Sequence, residues 1–421
     1  MPATAVMFPG QGAYLPGSLS ELHRDARAAE AVGDVLDQAD QAATEAGTAS
    51  VSALLTDRLA PDADTLVRDE PERLHLALYA ASLVSFRLLT GPLGLTPDLV
   101  LGHSVGELTA LVAAGALTVA DGARLLTARD AALRAAPPPP GGMFAVPLGA
   151  RRIARLLEGC GLTRTHVAAD NAPRQTVVSG PDDELDTLAA TLDTLGLRHF
   201  RLSSAYPFHS PLLAPAAALL GPAVADTAVS LPALPVHSPT QGGHHRDTES
   251  IRSALAHHLV QPVDFRRAVT TLYGDGVERF VETGPKATLA DLVEQSLPAA
   301  VCVAPLRTRV GLDGLRAALT GDAPALPTPG KRAGGLPERA ALIEELRTLY
   351  AGDLEYPVDV MTADADLEAD LAVGSVKQIE LFSRALDRYG LPQPDAKLRV
   401  TTYTTLERVA GLLADVAGDA R

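Results

Sequence analysis

Residues 102–107 read Gly102-His103-Ser104-Val105-Gly106-Glu107. The stretch follows an apolar run, Pro97 to Leu101, that reads as a buried strand, and it precedes Leu108, Leu111 and Val112 in a helical pattern. Gly-x-Ser-x-Gly between strand and helix is the pattern of a nucleophile elbow, in which small residues flank a tight turn that pushes the serine hydroxyl out at the strand's carboxyl end. Ser104 is therefore the expected covalent nucleophile. A lone match of this kind also fits an ordinary loop serine, so the surrounding chain has to decide.

Outward from the elbow, strand-like segments (Ala5 to Phe8, Leu99 to Leu101, Arg279 to Val281) alternate with helical patterns across the first 310 residues. That alternation predicts an α/β unit layered around a mostly parallel sheet. A different rhythm sits inside it. From Gly141 to Leu202 the order is strand (Met143 to Leu148), helix (Ala150 to Leu157), strand (His166 to Ala169), strand (Thr176 to Ser179), helix (Pro181 to Leu195), strand (His199 to Leu202). This β-α-β-β-α-β order predicts an inserted ferredoxin-like subdomain over about residues 136–205, starting at the proline run Pro137 to Pro140, which cannot continue a helix. A site in the cleft between large and small subdomains follows. The expected organisation is a domain over 1–320, a Pro-rich linker over 321–337 and a helical domain over 338–421. Helical patterns in the last part (Glu338 to Leu349, Val376 to Tyr389, Thr405 to Val416) predict a small all-α bundle of four helices. From residue 337 onward 16 acids face 9 bases, a net charge of −7.

Composition narrows the function classes. A net charge of −15 over 421 residues disfavours nucleic acid as a partner, because its phosphates are repelled. An apolar content of 47% is ample for globular cores, yet no stretch reaches the roughly 18 uninterrupted apolar residues of a membrane span. Met1 to Gly10 lacks the pattern of a secretory signal, so a cytoplasmic location is expected. Cys160 and Cys302 are far apart, which implies neither a disulfide framework nor a zinc site.

Two further segments give the elbow its context: Phe8-Pro9-Gly10-Gln11-Gly12 and Tyr206-Pro207-Phe208-His209-Ser210. Together the three resemble the acyltransferase family that moves malonyl and related groups from coenzyme A to acyl carrier proteins in fatty acid and polyketide synthesis, over roughly residues 1–310. A serine hydroxyl needs a base within hydrogen-bond reach, and the resemblance assigns that role to His209. It implies an oxyanion hole from the backbone N–H groups of Val105 and Gln11. It also implies a carbonyl that steers the histidine, with Gln261 in Leu259-Val260-Gln261-Pro262-Val263 as the matching residue. His244-His245 and His257-His258 lack ligand spacing and read as surface or packing residues. Arg129 matches the family arginine that holds the free carboxylate of a malonyl group, a task suited to an always-charged, two-pronged guanidinium. Val105 and Phe208 resemble malonyl-selective members; one methyl decides only about 1 to 3 kcal/mol in such a pocket. Two departures bear on the acyl group. The quartet Tyr206-Pro207-Phe208-His209 is a hybrid of family forms, and His75 stands where the family commonly has glutamine.

In the last part of the chain, Asp366 to Glu380 resembles the signature of acyl carrier proteins, with Ser375 matching the serine that takes a covalent 4'-phosphopantetheine arm. Here Gly374 replaces the usual Asp before it. The implied partners are acyl-CoA, acyl carrier proteins or polyketide synthase modules, and a phosphopantetheinyl transferase. The implied activity is transfer of a malonyl-type group through acyl-Ser104 to a carrier thiol. The alternatives are a carrier-to-carrier acyl shuttle, an editing thioester hydrolase, and a delivery scaffold with an inactive catalytic half.

Overall fold

The computed structural model describes residues 3–197, 199–307, 310–320, 336–354, 361–367, 371, 373, 375–389, 391 and 403–419. It falls into two compact units, Met1–Arg316 and Ala317–Arg421.

The strands of the first unit are β1 (Ala3–Phe8), β2 (Leu99–Gly102), β3 (Gly141–Val146), β4 (His166–Ala172), β5 (Gln175–Pro181), β6 (Phe200–Arg201), β7 (Val236–Ser238), β8 (Gly243–His244), β9 (Val277–Glu282) and β10 (Val301–Val303). Six of them form a mixed sheet in the order β10-β9-β1-β2-β7-β8, parallel throughout except for the β7/β8 hairpin. β1 and β2 lie in the middle, and every described residue of β1 after Ala3 is buried, as is every residue of β2. Strands covered on both faces read as continuous apolar runs, which is why Ala5 to Phe8 and Leu99 to Leu101 stand out in the sequence. Register then places the site. Phe8 pairs with Gly102, so β1 and β2 end side by side. The loop Pro9 to Gly12 therefore emerges next to the elbow, at the carboxyl edge where α/β sheets present their ligands.

The other four strands form an antiparallel sheet in the order β4-β5-β3-β6, with the helices Ala150–Gly159 and Asp182–Thr194 connecting β3 to β4 and β5 to β6. Alternation along β3 sends its side chains to two cores. Phe144 and Val146 pack with Ile153, Leu157, Leu185 and Leu188 beneath those helices. Met143 joins Ala168, Val177, Leu101 and Phe280 in the core shared with the large sheet. One backbone seam also ties the sheets. Asp170 N–H donates to the Val263 carbonyl and Val263 N–H to that of Ala168, each at 2.9 Å.

The second unit contains three helices among the described residues, Arg339–Leu354, Ser375–Tyr389 and Leu406–Asp419. They share a core that includes Leu346, Tyr350, Leu381, Phe382, Leu386, Val409 and Leu413. The expected bundle had four helices. Gly374 and the proline-rich residues 321–335 lie outside the described residues. None of the described helices is long and apolar enough to cross a membrane.

Candidate active site

Ser104 is the middle of the three residues between β2 and the helix Gly106–Ala113, and its φ is +54°, in the left-handed region that costs a side-chain-bearing residue of order 1–3 kcal/mol. Packing around the turn holds it there. A Cβ on Gly102 would lie 2.1 Å from the Gly106 carbonyl oxygen, and one on Gly106 would lie 2.0 Å from that of Phe8. Both glycines are demanded by backbone-to-backbone approach, which lets the elbow close against the end of β1. Gly10 in turn faces the His103 carbonyl, so the Pro9 to Gly12 loop rests directly on the elbow.

Ser104 Oγ–H donates to His209 Nε2 at 2.8 Å. His209 Nδ1–H donates to the main-chain carbonyl of Gln261 at 2.7 Å, which holds the proton on the far nitrogen and leaves Nε2 as an acceptor. The main chain of Gln261 makes this contact, and its side-chain oxygen has no hydrogen-bond partner among the described residues. His209 also adopts a left-handed backbone, φ +57°. Its pKa lies well below the usual 6.5, chiefly through burial and then through the neighbouring charges of His258, His103 and Arg129, against the opposing pull of the Gln261 carbonyl. A base depressed in this way stays neutral into mildly acidic solution. We expect the rate of acyl loading onto Ser104 to stay level as pH falls through 6.5 and to drop only below it, measured as kcat/KM against pH; a half-rate point above 6.5 contradicts this.

The two proposed oxyanion donors sit where N–H groups have no intrahelical acceptor. Val105 is the N-cap of the elbow helix, and Gln11 opens a 3₁₀ turn over Gln11–Ala13.

A third cluster lies on the helices Pro71–Thr90 and Val119–Ala135. Arg129 is buried, with its guanidinium 4.7 Å from the centroid of the Phe208 ring. Its Nη1 donates to Asp130 Oδ1 at 3.0 Å, and the same oxygen accepts from His75 Nδ1 at 3.0 Å. His75 Nε2 reaches Gln11 Oε1 at 3.4 Å, and the Phe208 ring stands edge-on to His75. Arg129, Phe208, His75 and Gln11 thus share one cluster.

Three participants carry no assigned role in the sequence. Asp130 joins Arg129 to His75. Asn171, on β4, accepts from His103 Nε2–H at 2.7 Å and so ties the small sheet to the elbow. His258, read as a surface or packing residue, is buried with its ring 5.6 Å from that of His209; burial above all, then the Arg129 charge, brings its pKa down to about 4. Helical spacing carried a signal for two of them. Leu126, Arg129, Asp130 and Leu133 fall on one buried stripe, and His258 continues the stripe of Ile251, Ala254 and Leu255. The remaining histidines divide: His257 donates to the Ser253 carbonyl near the surface, whereas His245 is buried beside Glu107. Ser375 opens the helix Ser375–Tyr389 in the second unit.

Comparison with known proteins places this geometry. The acyl transferase domain family matches residues 6–317. The phenolphthiocerol synthesis polyketide synthase type I Pks15/1 of Mycobacterium marinum is 34% identical over 308 residues, covering 71% of this chain and 14% of that protein. The spectinabilin polyketide synthase system protein NorC of Streptomyces orinoci is 31% identical over 428 residues, covering 97% of this chain and 18% of that protein, so its alignment takes in the second unit. The chain therefore spans less than a fifth of either relative's length. Among solved structures, the malonyl CoA-acyl carrier protein transacylase of Coxiella burnetii superimposes with a TM-score of 0.68 at 28% identity, covering 76% of this chain and 98% of that one. With a family match over most of its length and a serine-histidine pair at the carboxyl edge of an α/β sheet, the chain belongs to the acyl transferase domain family.

Proposed function

We propose that this chain transfers a malonyl-type acyl group from coenzyme A, through an ester on Ser104, to the thiol of an acyl carrier protein in polyketide or fatty acid biosynthesis. The observation that carries the reading is the 2.8 Å contact between Ser104 Oγ and His209 Nε2, with His209 braced by the Gln261 carbonyl. Ser104 Oγ attacks the thioester carbonyl while His209 Nε2 takes its proton. The N–H groups of Val105 and Gln11 hold the negative charge that develops on the carbonyl oxygen. As the carbon–sulfur bond breaks, His209 returns the proton to the departing thiolate, which leaves as free coenzyme A. A carrier thiol then attacks the acyl-Ser104 ester with His209 as base again, and Ser104 leaves as the alcohol. Arg129 grips the free carboxylate of the acyl group.

The second unit is proposed as an acyl carrier domain with Ser375 as its attachment residue. Its place at the start of a helix, where backbone N–H groups lack partners, suits a phosphodiester. A 4'-phosphopantetheine arm there would supply a thiol to carry the acyl group.

Two mass measurements test the reading. The chain incubated with malonyl-CoA should gain one malonyl group on the peptide containing Ser104. After treatment with a phosphopantetheinyl transferase and coenzyme A, a second malonyl group should appear on the peptide containing Ser375, and Ser375→Ala should remove that second gain alone. Release of free malonate without either adduct would favour editing hydrolysis instead.

A further inference from the structure

Four arginines at one corner of the small sheet have no acidic partner among the described residues. The helix Ala150–Gly159 buries Ile153 and Leu157 and exposes Arg151, Arg152 and Arg155. Arg174 is exposed in the two-residue turn between β4 and β5, where Ala172 pairs with Gln175. The two places adjoin. A Cβ on Gly149, the N-cap of that helix, would lie 3.2 Å from the Pro173 carbonyl oxygen, and Thr176 Oγ1 donates to the Leu148 carbonyl at 2.6 Å.

Local stability does not account for this arrangement. Arg151 and Arg152 stand in the first turn of the helix, where unpaired N–H groups favour anions and oppose cations. Glu158, the one acid on the helix, lies near its other end. Around the same sheet other arginines are paired: Arg164 with Glu184 at 3.1 Å, Arg201 with Asp182, and Arg266 with Asp170, the one acid of β4, at 2.7 Å. In a chain of net charge −15, four uncompensated positive charges gathered at one corner point to an anionic partner outside the fold.

The corner also belongs to the part of the small sheet that touches the elbow. Asn171, three residues before Arg174, accepts from His103 Nε2–H at 2.7 Å, and His103 adjoins Ser104. A partner seated on Arg174 is thereby brought to the edge from which the acyl-serine is approached.

Two anionic partners take part in the proposed reaction, and the spread of the arginines separates them. Coenzyme A concentrates its charge in a few phosphates, which call for donors converging on a point. These side chains instead stand apart in solvent, three along a helix and one on a turn. An acyl carrier protein brings charge distributed over a face, and the carrier-like part of this chain shows its sign: 16 acids against 9 bases from residue 337 onward. Resting on the function proposed above, we propose that the outer face of the helix Ala150–Gly159, together with Arg174, is the docking surface for a separate, acidic acyl carrier protein that delivers its thiol to acyl-Ser104. Charges exposed at a rim act mainly on the encounter, so the surface speeds association, makes it sensitive to salt and leaves the chemical step alone.

The test compares two acceptors for the acyl group on Ser104: a holo acyl carrier protein of net negative charge, and free pantetheine, which offers the same thiol without the protein. Arg151→Glu, Arg155→Glu and Arg174→Glu combined should lower kcat/KM for the carrier roughly tenfold or more, through KM, and flatten its fall with added salt. Loading of Ser104 from malonyl-CoA and transfer to pantetheine should keep their parental rates, and Tm should hold, because all three side chains are exposed and unpaired among the described residues. Carrier transfer at the parental rate in the triple variant overturns the inference. So does an equal loss with carrier and pantetheine, or a loss confined to loading from malonyl-CoA, which would assign the arginines to the coenzyme A phosphates. A parent chain that takes no malonyl group onto Ser104 would instead overturn the functional proposal.

Discussion

Ser104→Ala should leave a chain that folds normally and takes no acyl group from malonyl-CoA, with transfer to a carrier reduced on the order of a millionfold relative to the parent. The effect is that large because nucleophile and base act as one unit. Without the hydroxyl, His209 Nε2 faces nothing it can deprotonate at 2.8 Å, and the oxyanion donors have no covalent intermediate to hold. Little else should change. Alanine is smaller than serine, and the elbow is held by the backbone contacts of Gly102 and Gly106, not by the serine side chain. A parental melting temperature together with absent acyl-enzyme is the expected pair of results. Retained transfer by Ser104→Ala would mean that some other group carries the acyl chain.

Gly106→Ala should do the reverse, lowering stability before chemistry comes into question. The added methyl would sit 2.0 Å from the Phe8 carbonyl oxygen, which is anchored in the central strand of the sheet and cannot swing aside. Either the elbow helix or the end of β1 must move. Overpacking of this kind costs about 1 to 3 kcal/mol, and more where the neighbouring atoms are backbone that cannot yield, which should lower Tm by a few °C. Acyl loading should fall as well, since the Phe8 end of β1 leads straight into the loop that carries Gln11. A Gly106→Ala protein with unchanged Tm would show that the turn tolerates displacement, and the steric account of the motif would be wrong.

How far the primary structure could be read depended on the range of each interaction. The parallel strands were legible because burial on both faces forces consecutive apolar residues, as in Ala5 to Phe8, and short-range composition records that directly. The elbow was legible because its two glycines answer to atoms close in the fold and to a turn four residues long. The order of strands and helices between Gly141 and Leu202 could be read from alternating periods, whereas the pairing β4-β5-β3-β6 appears only once the chain is folded. Strand ends were less legible than strand centres. β6 covers only Phe200–Arg201, shorter than the apolar pattern suggested, because it pairs over just two residues with β3.

The site divides along the same line. Ser104 was singled out through a local motif, and His209 and Arg129 through a resemblance; Asp130 and the inward position of His258 escaped although their helical phase pointed inward, because inward phase alone does not say what a polar side chain will meet. Residue order and type were enough to indicate an α/β chain and to single out Ser104 at a tight turn, since strand burial and tight turns are written in neighbouring residues. That the His209 ring meets Ser104, that the main-chain carbonyl of Gln261 meets that ring, and that Asp130 lies against both Arg129 and His75 are matters of tertiary contact. Those partners stand 52 to 105 residues apart along the chain in every case except the adjacent Arg129 and Asp130. Charges and hydrogen bonds act through space over a few ångströms, and only the folded sheet brings such distant residues that close.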